Sequence, residues 1–419
     1  MKTGDLQDLQ KTAEDGHMKT LYLHIGLHKT ATTTIQHFLT ENDEVLKTKG
    51  YTYPKFPVHY PYLGKDRNGI FLGTPYLDYD GERRMDIEAE NYKTCMGIIH
   101  ELFETYPNVI LSNERLWFDL SKAEGALMQR LLDDASEYGY RIKMIVYVRR
   151  QDKFIESFWN EQIKSNILET RKFEQYKDEY DRLLFGEYFS RLGDMAGDEN
   201  LIMRRFDEVV RGEGILPDFM KAIGLELTDE YTISVEKANT QLYGNITEIK
   251  RRMNEMEGLK RGDADFLRES LWMASDTSSK NYPCAELSVE ERTEFMKKFE
   301  DENRMLADRF IGDGKPLFSE DYSGLPKRED DNPEFISDVI RSSAAADVLL
   351  LRRLKEAEKA IKAFGKRIDK LEEKGKKLEE KNKKLEEKNK KLEERVDKQS
   401  VRIDHLRHPV KALMNRGKN

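Results

Sequence analysis

The stretch Leu21-Tyr22-Leu23-His24-Ile25-Gly26-Leu27-His28-Lys29-Thr30-Ala31-Thr32-Thr33-Thr34 decides how this chain is read. Leu21 to Ile25 is a short apolar run ending at Gly26, and a stretch of helical period carrying Ile35, Phe38, Leu39 and Leu46 follows the threonines. A loop of small and hydroxylated residues that opens a helix offers unpaired backbone N–H groups, hydroxyls and the positive end of the helix dipole to an anion. Lys29 adds a point charge. The string therefore predicts a phosphate cradle, although it lacks the second glycine and the Gly-Lys-Ser/Thr order of a Walker A loop.

Working outward, Asn108–Leu111, Ile142–Val148 and Leu201–Met203 are further strand candidates, each trailed by polar or helical sequence. Such alternation predicts an α/β fold, a P-loop-like parallel sheet flanked by helices. Ligands of such sheets bind beyond the carboxyl ends of the strands. That rule directs attention to Ser112-Asn113-Glu114-Arg115 and to Arg149, where two of the runs end. The apolar set Phe295, Phe299, Leu306 and Phe310 has helical spacing and is read as core.

Composition bounds the rest. The chain has 419 residues, 36% of them charged, more than one folded core needs. No run of about twenty apolar residues is present to span a bilayer. The polar segment 1–19 lacks the apolar run of a secretory signal, and Cys95 and Cys284 are too few for a disulfide framework, so a cytoplasmic location is expected. The net charge of −8 divides unevenly: residues 351–419 carry +11, which leaves −19 on residues 1–350. An acidic body repels polynucleotide, so nucleic acid is not an expected partner.

From Leu371 a seven-residue period runs through LEEKGKK, LEEKNKK, LEEKNKK and LEERVDK. Leu371, Leu378, Leu385 and Leu392 occupy d; Ile361, Ile368, Gly375, Asn382, Asn389 and Val396 occupy a. In a parallel pair, Arg367, Lys374, Lys381 and Lys388 at g would meet Glu372, Glu379, Glu386 and Glu393 at e, and asparagine at a favours two strands. A long C-terminal α-helical coiled coil forming a homodimer is expected. The expected division is a polar segment 1–19, an α/β domain 20–325, a linker 326–346, a coiled coil 347–408 stopped by Pro409, and a basic tail 409–419 able to touch anionic lipid weakly.

The string LHIGLHKTATTTIQ resembles the 5′-phosphosulfate loop of sulfotransferases that use 3′-phosphoadenosine 5′-phosphosulfate (PAPS), in particular the bacterial carbohydrate-type members. The resemblance implies that Lys29 is catalytic and that His28, Lys29, Thr30, Ala31, Thr32 and Thr33 hold the donor. The family often has glycine where Ala31 stands. Arg149, with Ser157 eight residues on, is similar to the family's 3′-phosphate pair, with Arg150 as the alternative ligand. A guanidinium grips phosphate through parallel charge-assisted bonds.

Glu114 looks similar in position to the catalytic glutamate of glycosaminoglycan-type members, and His59 is the rival base. His28 is expected to orient the loop or to contact leaving-group oxygens. Glu236–Gln241 resembles a segment that closes over the cofactor, and Arg204-Arg205-Phe206 a basic strand end near the acceptor. PAPS is the implied co-substrate, with no metal required.

Eight aromatic residues between Tyr51 and Tyr79 suggest a carbohydrate or glycolipid acceptor, since ring faces pack against sugar C–H faces. The same rings serve equally well to hold the loop down. An atypical P-loop kinase or nucleotide-binding enzyme, or a non-catalytic coiled-coil scaffold, remains the alternative reading.

Overall fold

The structure is a computed structural model that describes residues 18–61, 67–165, 167–234, 242, 245–259, 263–276, 285–321, 327–329, 332 and 334–414. It divides into two units, residues 1–343 and 344–419.

The first unit is built on a five-stranded sheet: β1 (Lys19–His24), β2 (Tyr51–Thr52), β3 (Asn108–Ser112), β4 (Tyr140–Val148) and β5 (Leu201–Arg205), in the spatial order β2-β3-β1-β4-β5. Every pairing is parallel, with Leu23 opposite both Leu111 and Met144. The four expected strands are therefore present, each longer by one or two residues, with β1 starting two residues earlier and ending at His24. The short edge strand β2 was not expected, because two residues carry no readable period.

Side-chain alternation explains why both faces of the sheet must be covered. Leu21, Leu23, Ile142, Met144, Val146 and Val148 point into one core, against Ile99, Phe103, Leu131 and Phe154. Tyr22, Ile110, Ile145 and Tyr147 point into the other, against Ile35, Phe38, Leu39 and Phe219. Phe295, Phe299 and Leu306 are buried in the first core with Phe310 packed against it, as expected, but not on one helix: Phe295 lies on Val289–Lys297, Leu306 and Phe310 on Glu300–Phe310, and Phe299 caps the second at the junction. Because all strands run the same way, the segments after His24, Ser112, Val148 and Arg205 emerge along one edge. That edge is where the candidate ligands were expected.

The C-terminal helix runs from Phe335 to Met414, 80 residues, or roughly 120 Å at 1.5 Å per residue. It starts within the segment read as a linker. Asp338 and Ser342 are buried there, and Asp338 accepts a 2.8 Å hydrogen bond from Asn245, which makes residues 335–343 part of the first unit's packing. It also continues past Pro409, which removes one helical hydrogen bond without preventing the turn that follows. The heptad positions are exposed along this helix, Leu371 at 59% and Leu385 at 56% among them. Among the described residues, no helix is long and apolar enough to cross a membrane.

Candidate functional site

The loop after β1 is tied down from three sides. Gly26 takes φ +95°, and a Cβ there would lie 2.4 Å from the Glu114 carbonyl oxygen, so the loop and the segment after β3 can be this close only with glycine. Asn113 N–H donates to the His24 carbonyl at 3.1 Å and Trp117 N–H to the Ile25 carbonyl at 3.0 Å. These bonds place Glu114 beside the loop. Lys29 and Ala31 then take φ of 64° and 58°, a left-handed conformation that strains a side chain bearing Cβ. The helix Thr32–Glu41 follows, with its first N–H groups directed into the loop.

A cavity of about 1430 Å³ opens at this edge. His28, Lys29, Ala31, Thr32, Thr33, Glu114, Arg149 and Ser157 all line it. The two positions expected to hold anions thus line one space, and they touch directly: Arg149 Nη1 donates to the Lys29 carbonyl oxygen at 3.3 Å. Arg149 also lies against Phe206, with its guanidinium carbon 5.6 Å from the ring centroid. Its Nε is buried with no hydrogen-bond partner among the described residues. Ser157 comes from the helix Gln151–Lys164, which begins just after Arg149.

Three expected assignments change. Thr30 is fully buried and donates its hydroxyl to the Leu27 carbonyl at 2.7 Å, so that hydroxyl shapes the loop and does not face the cavity. His59 is exposed and does not line the cavity. Arg150 is buried, chelated by Asp152 at 2.7 and 2.9 Å and bonded to the Ser319 and Asp321 carbonyls, which leaves it a structural residue.

The aromatic loop is redirected as well. Tyr53, Tyr60 and Phe71 are buried, with Phe56 on Phe71 and Tyr60 on Tyr76 at centroid separations of 5.1 and 5.2 Å, so these rings hold the loop down. Rings in the cavity wall come instead from Phe38, Trp117, Phe118, Phe158, Tyr176, Tyr180 and Phe206. Glu236–Gln241 lies outside the described residues. Of Arg204-Arg205-Phe206, only Phe206 lines the cavity; Arg205 is held by Asp313 at 2.7 Å.

Glu114 is almost fully enclosed, a condition that would raise its pKa. The Arg67 guanidinium, with Nη2 at 2.7 Å, reverses that, and the carboxyl is held below its usual range. Gln36 donates to its other oxygen at 3.4 Å. His28 Nδ1 lies 3.9 Å from Glu114 Oε1, and the ring packs on Phe158 at 5.0 Å. Enclosure pushes the imidazole down to about 4 despite the nearby carboxylate, so His28 is neutral at physiological pH.

Glu161 was not anticipated. Its Oε2 accepts from Lys29 Nζ and from Lys164 Nζ, each at 2.9 Å. Burial would raise its pKa, but the two ammonium groups bring it down to about 2. The signal was in the sequence: Glu161 stands one helical turn beyond Ser157, so the two share a face. Among the described residues, no group of three or more His, Cys, Asp or Glu side chains could hold a metal ion.

No protein-family model matches the chain. It is similar to an uncharacterized protein of Archaeoglobus fulgidus, 28% identical over 178 residues that cover 41% of this chain and 46% of that protein. The chain thus spans about half the length of that relative. Among solved structures it is similar to a sulfotransferase from Alicyclobacillus acidocaldarius, at 15% identity and a TM-score of 0.30, covering 52% of this chain and 86% of the other.

Proposed function

We propose that this chain is a sulfotransferase that moves the sulfuryl group of PAPS to a hydroxyl of a carbohydrate acceptor. The observation that carries the reading is the convergence of Lys29 and Arg149 on one cavity, with the Arg149 guanidinium bonded to the Lys29 carbonyl at 3.3 Å. A donor with a phosphate at each end needs two cationic anchors in one space. An adenine nucleotide phosphorylated at both 3′ and 5′ positions suits that requirement.

On this reading the backbone N–H groups at the start of the helix Thr32–Glu41, with the Thr32 and Thr33 hydroxyls, hold the 5′-phosphate. Lys29 opposes the negative charge that develops on the oxygen bridging phosphorus and sulfur. Arg149 and Ser157 hold the 3′-phosphate. Glu114, ionised and steadied by Arg67, takes the proton of the acceptor hydroxyl as its oxygen attacks sulfur; the S–O bond to the leaving nucleotide breaks as the new one forms. Neutral His28 packs beside Glu114 without adding a competing positive charge.

The test is calorimetric titration of the full chain with adenosine 3′,5′-bisphosphate, followed by transfer of radiolabelled sulfate from PAPS to a panel of glycosides. Micromolar binding and labelled product are expected. Magnesium-dependent phosphate transfer from ATP would overturn the reading in favour of a kinase.

The exposed heptad face is proposed to pair with a second copy in parallel, since the four g-to-e contacts between Arg367 and Glu393 would each join Lys or Arg to Glu. Sedimentation of the full chain should give a dimer that Leu378→Asp with Leu385→Asp converts to a monomer. A wild-type monomer at tens of micromolar would refute it.

A further inference from the structure

We infer that the acceptor at this site is an acidic saccharide, whose own anionic group is held by Arg115 and Arg182 beside the rings of Phe118 and Tyr180. The inference rests on the transferase reading for the reaction, but its binding claim stands on geometry of its own.

Three cations of the cavity wall are already answered by carboxylates at charge-assisted hydrogen-bond distance, and Arg149, assigned to the donor, has Asp207 at 3.8 Å. Arg67 meets Glu114 at 2.7 Å, Lys29 meets Glu161 at 2.9 Å, and Arg171 meets Glu169 and Glu179 at 2.6 Å each. Arg115 and Arg182 differ. Arg115 reaches Asp119 only at 3.4 Å, and Asp119, fully buried, is held more closely by Lys122 at 2.8 Å. The carboxylate contact of Arg182 is with its neighbour in sequence, Asp181, at 3.7 Å, and Asp181 itself is 86% exposed. Both distances exceed the roughly 2.7–2.9 Å of a charge-assisted bond. The two side chains are 37% and 39% exposed, and both line the cavity.

Their setting makes them a recognition element. The Arg182 guanidinium carbon lies 3.9 Å from the Phe118 ring centroid, a stacked position that fixes the plane of the fork while leaving N–H edges for a ligand. Tyr180 joins the group: its phenol feels the charges of both arginines, and its ring lies 5.5 Å from Phe158, which in turn packs on His28. Arg115 directly follows Glu114, the proposed base. An anion at Arg115 and Arg182 would therefore be tethered close to the hydroxyl to be sulfated, with ring faces between them for the sugar. Two weakly answered cations inside a body of net charge −19 also make the cavity a local attractor for anions.

The experiment uses p-nitrophenyl β-D-glucuronide and p-nitrophenyl β-D-glucoside, which share ring and aglycone and differ by one carboxylate. Calorimetry on the full chain should show at least tenfold tighter binding of the glucuronide, shrinking as ionic strength rises. In the double variant Arg115→Gln with Arg182→Gln, both half-buried positions, the advantage should fall below threefold. The glucoside 6-sulfate, as a third probe, separates a carboxylate preference from a sulfate preference: tighter binding than the neutral glucoside supports the inference with sulfate as the recognised group. Equal affinity for all three on the wild type, a preference that survives the double variant, or no binding of any glycoside overturns it. Wild-type protein that prefers the acidic sugar but ignores adenosine 3′,5′-bisphosphate would refute the donor reading and leave this one standing. The reverse result would do the opposite.

Discussion

Glu161 Oε2 lies 2.9 Å from Lys29 Nζ, and the same oxygen lies 2.9 Å from Lys164 Nζ. The lysine proposed to face the phosphosulfate is thus already engaged by a carboxylate in the cavity wall. An anion reaching the loop must compete with Glu161, and like charges a few ångströms apart repel. Glu161→Gln is expected to tighten adenosine 3′,5′-bisphosphate binding about three- to tenfold. Calorimetry on the variant checks this; unchanged or weaker affinity would count against a competing role for Glu161.

The pKa of Glu161, drawn down to about 2, has a sign that can be followed. A carboxyl depressed in the folded protein contributes stability that is present above its unfolded value, roughly 4.5, and lost as pH falls toward 2. The wild type should therefore lose more stability than Glu161→Gln between pH 5 and pH 2, as read by urea midpoints.

Glu114→Gln keeps the shape of the side chain and removes its ability to take a proton. Transfer should fall by about 10²–10⁴-fold while bisphosphate affinity stays close to wild type. If affinity collapsed and turnover per bound donor survived, Glu114 would be a structural partner of Arg67 and the base would lie elsewhere.

Gly26→Ala and Ala31→Gly should have opposite consequences in the same loop. An added methyl at residue 26 meets the Glu114 backbone at 2.4 Å in a left-handed conformation, and backbone cannot move aside as a side chain can. A loss of about 2–4 kcal/mol is expected in denaturant unfolding. Ala31, at φ 58°, already bears the strain that glycine would remove, so Ala31→Gly should be neutral or slightly stabilising.

Glu302 carries the opposite pH sign. Burial raises its pKa to about 7, against the hydrogen bonds from Gly186 N–H at 3.2 Å and Gln151 at 3.5 Å. A carboxyl raised in the folded state penalises folding increasingly as pH climbs from about 4.5 to 7. Discounted for its partial exposure, the penalty at pH 8 is on the order of 1 kcal/mol. Glu302→Gln should stabilise the protein at pH 8 and have little effect at pH 4.5, as followed by thermal melts.

The parallel sheet was legible because β1, β3 and most of β4 are buried on both faces and read as apolar runs, and β5 opens on a short one, while Gly26 and the threonines mark the first turn without ambiguity. Lys29, Glu114, Arg149 and Ser157 were legible by the strand-end rule together with the resemblance. What the sequence hid depends on distant contacts. Thr30 and Thr32 are chemically alike, and only the fold turns one hydroxyl to the Leu27 carbonyl and leaves the other at the cavity. Tyr53 and Tyr180 are both tyrosines in polar surroundings, yet burial separates a loop anchor from a cavity wall. Arg67 approaches Glu114 across 47 residues of chain, a pairing that no local pattern encodes.

The Arg149 bond to the Lys29 carbonyl couples the strand-end guanidinium to the strained loop, so the separation between the two anchors is set by the protein and not by whatever occupies the cavity. On the proposed reading that fixed span works as a caliper. A nucleotide with its charge gathered in one polyphosphate chain would satisfy only one jaw, and the discrimination against it would come from length, with no steric barrier required.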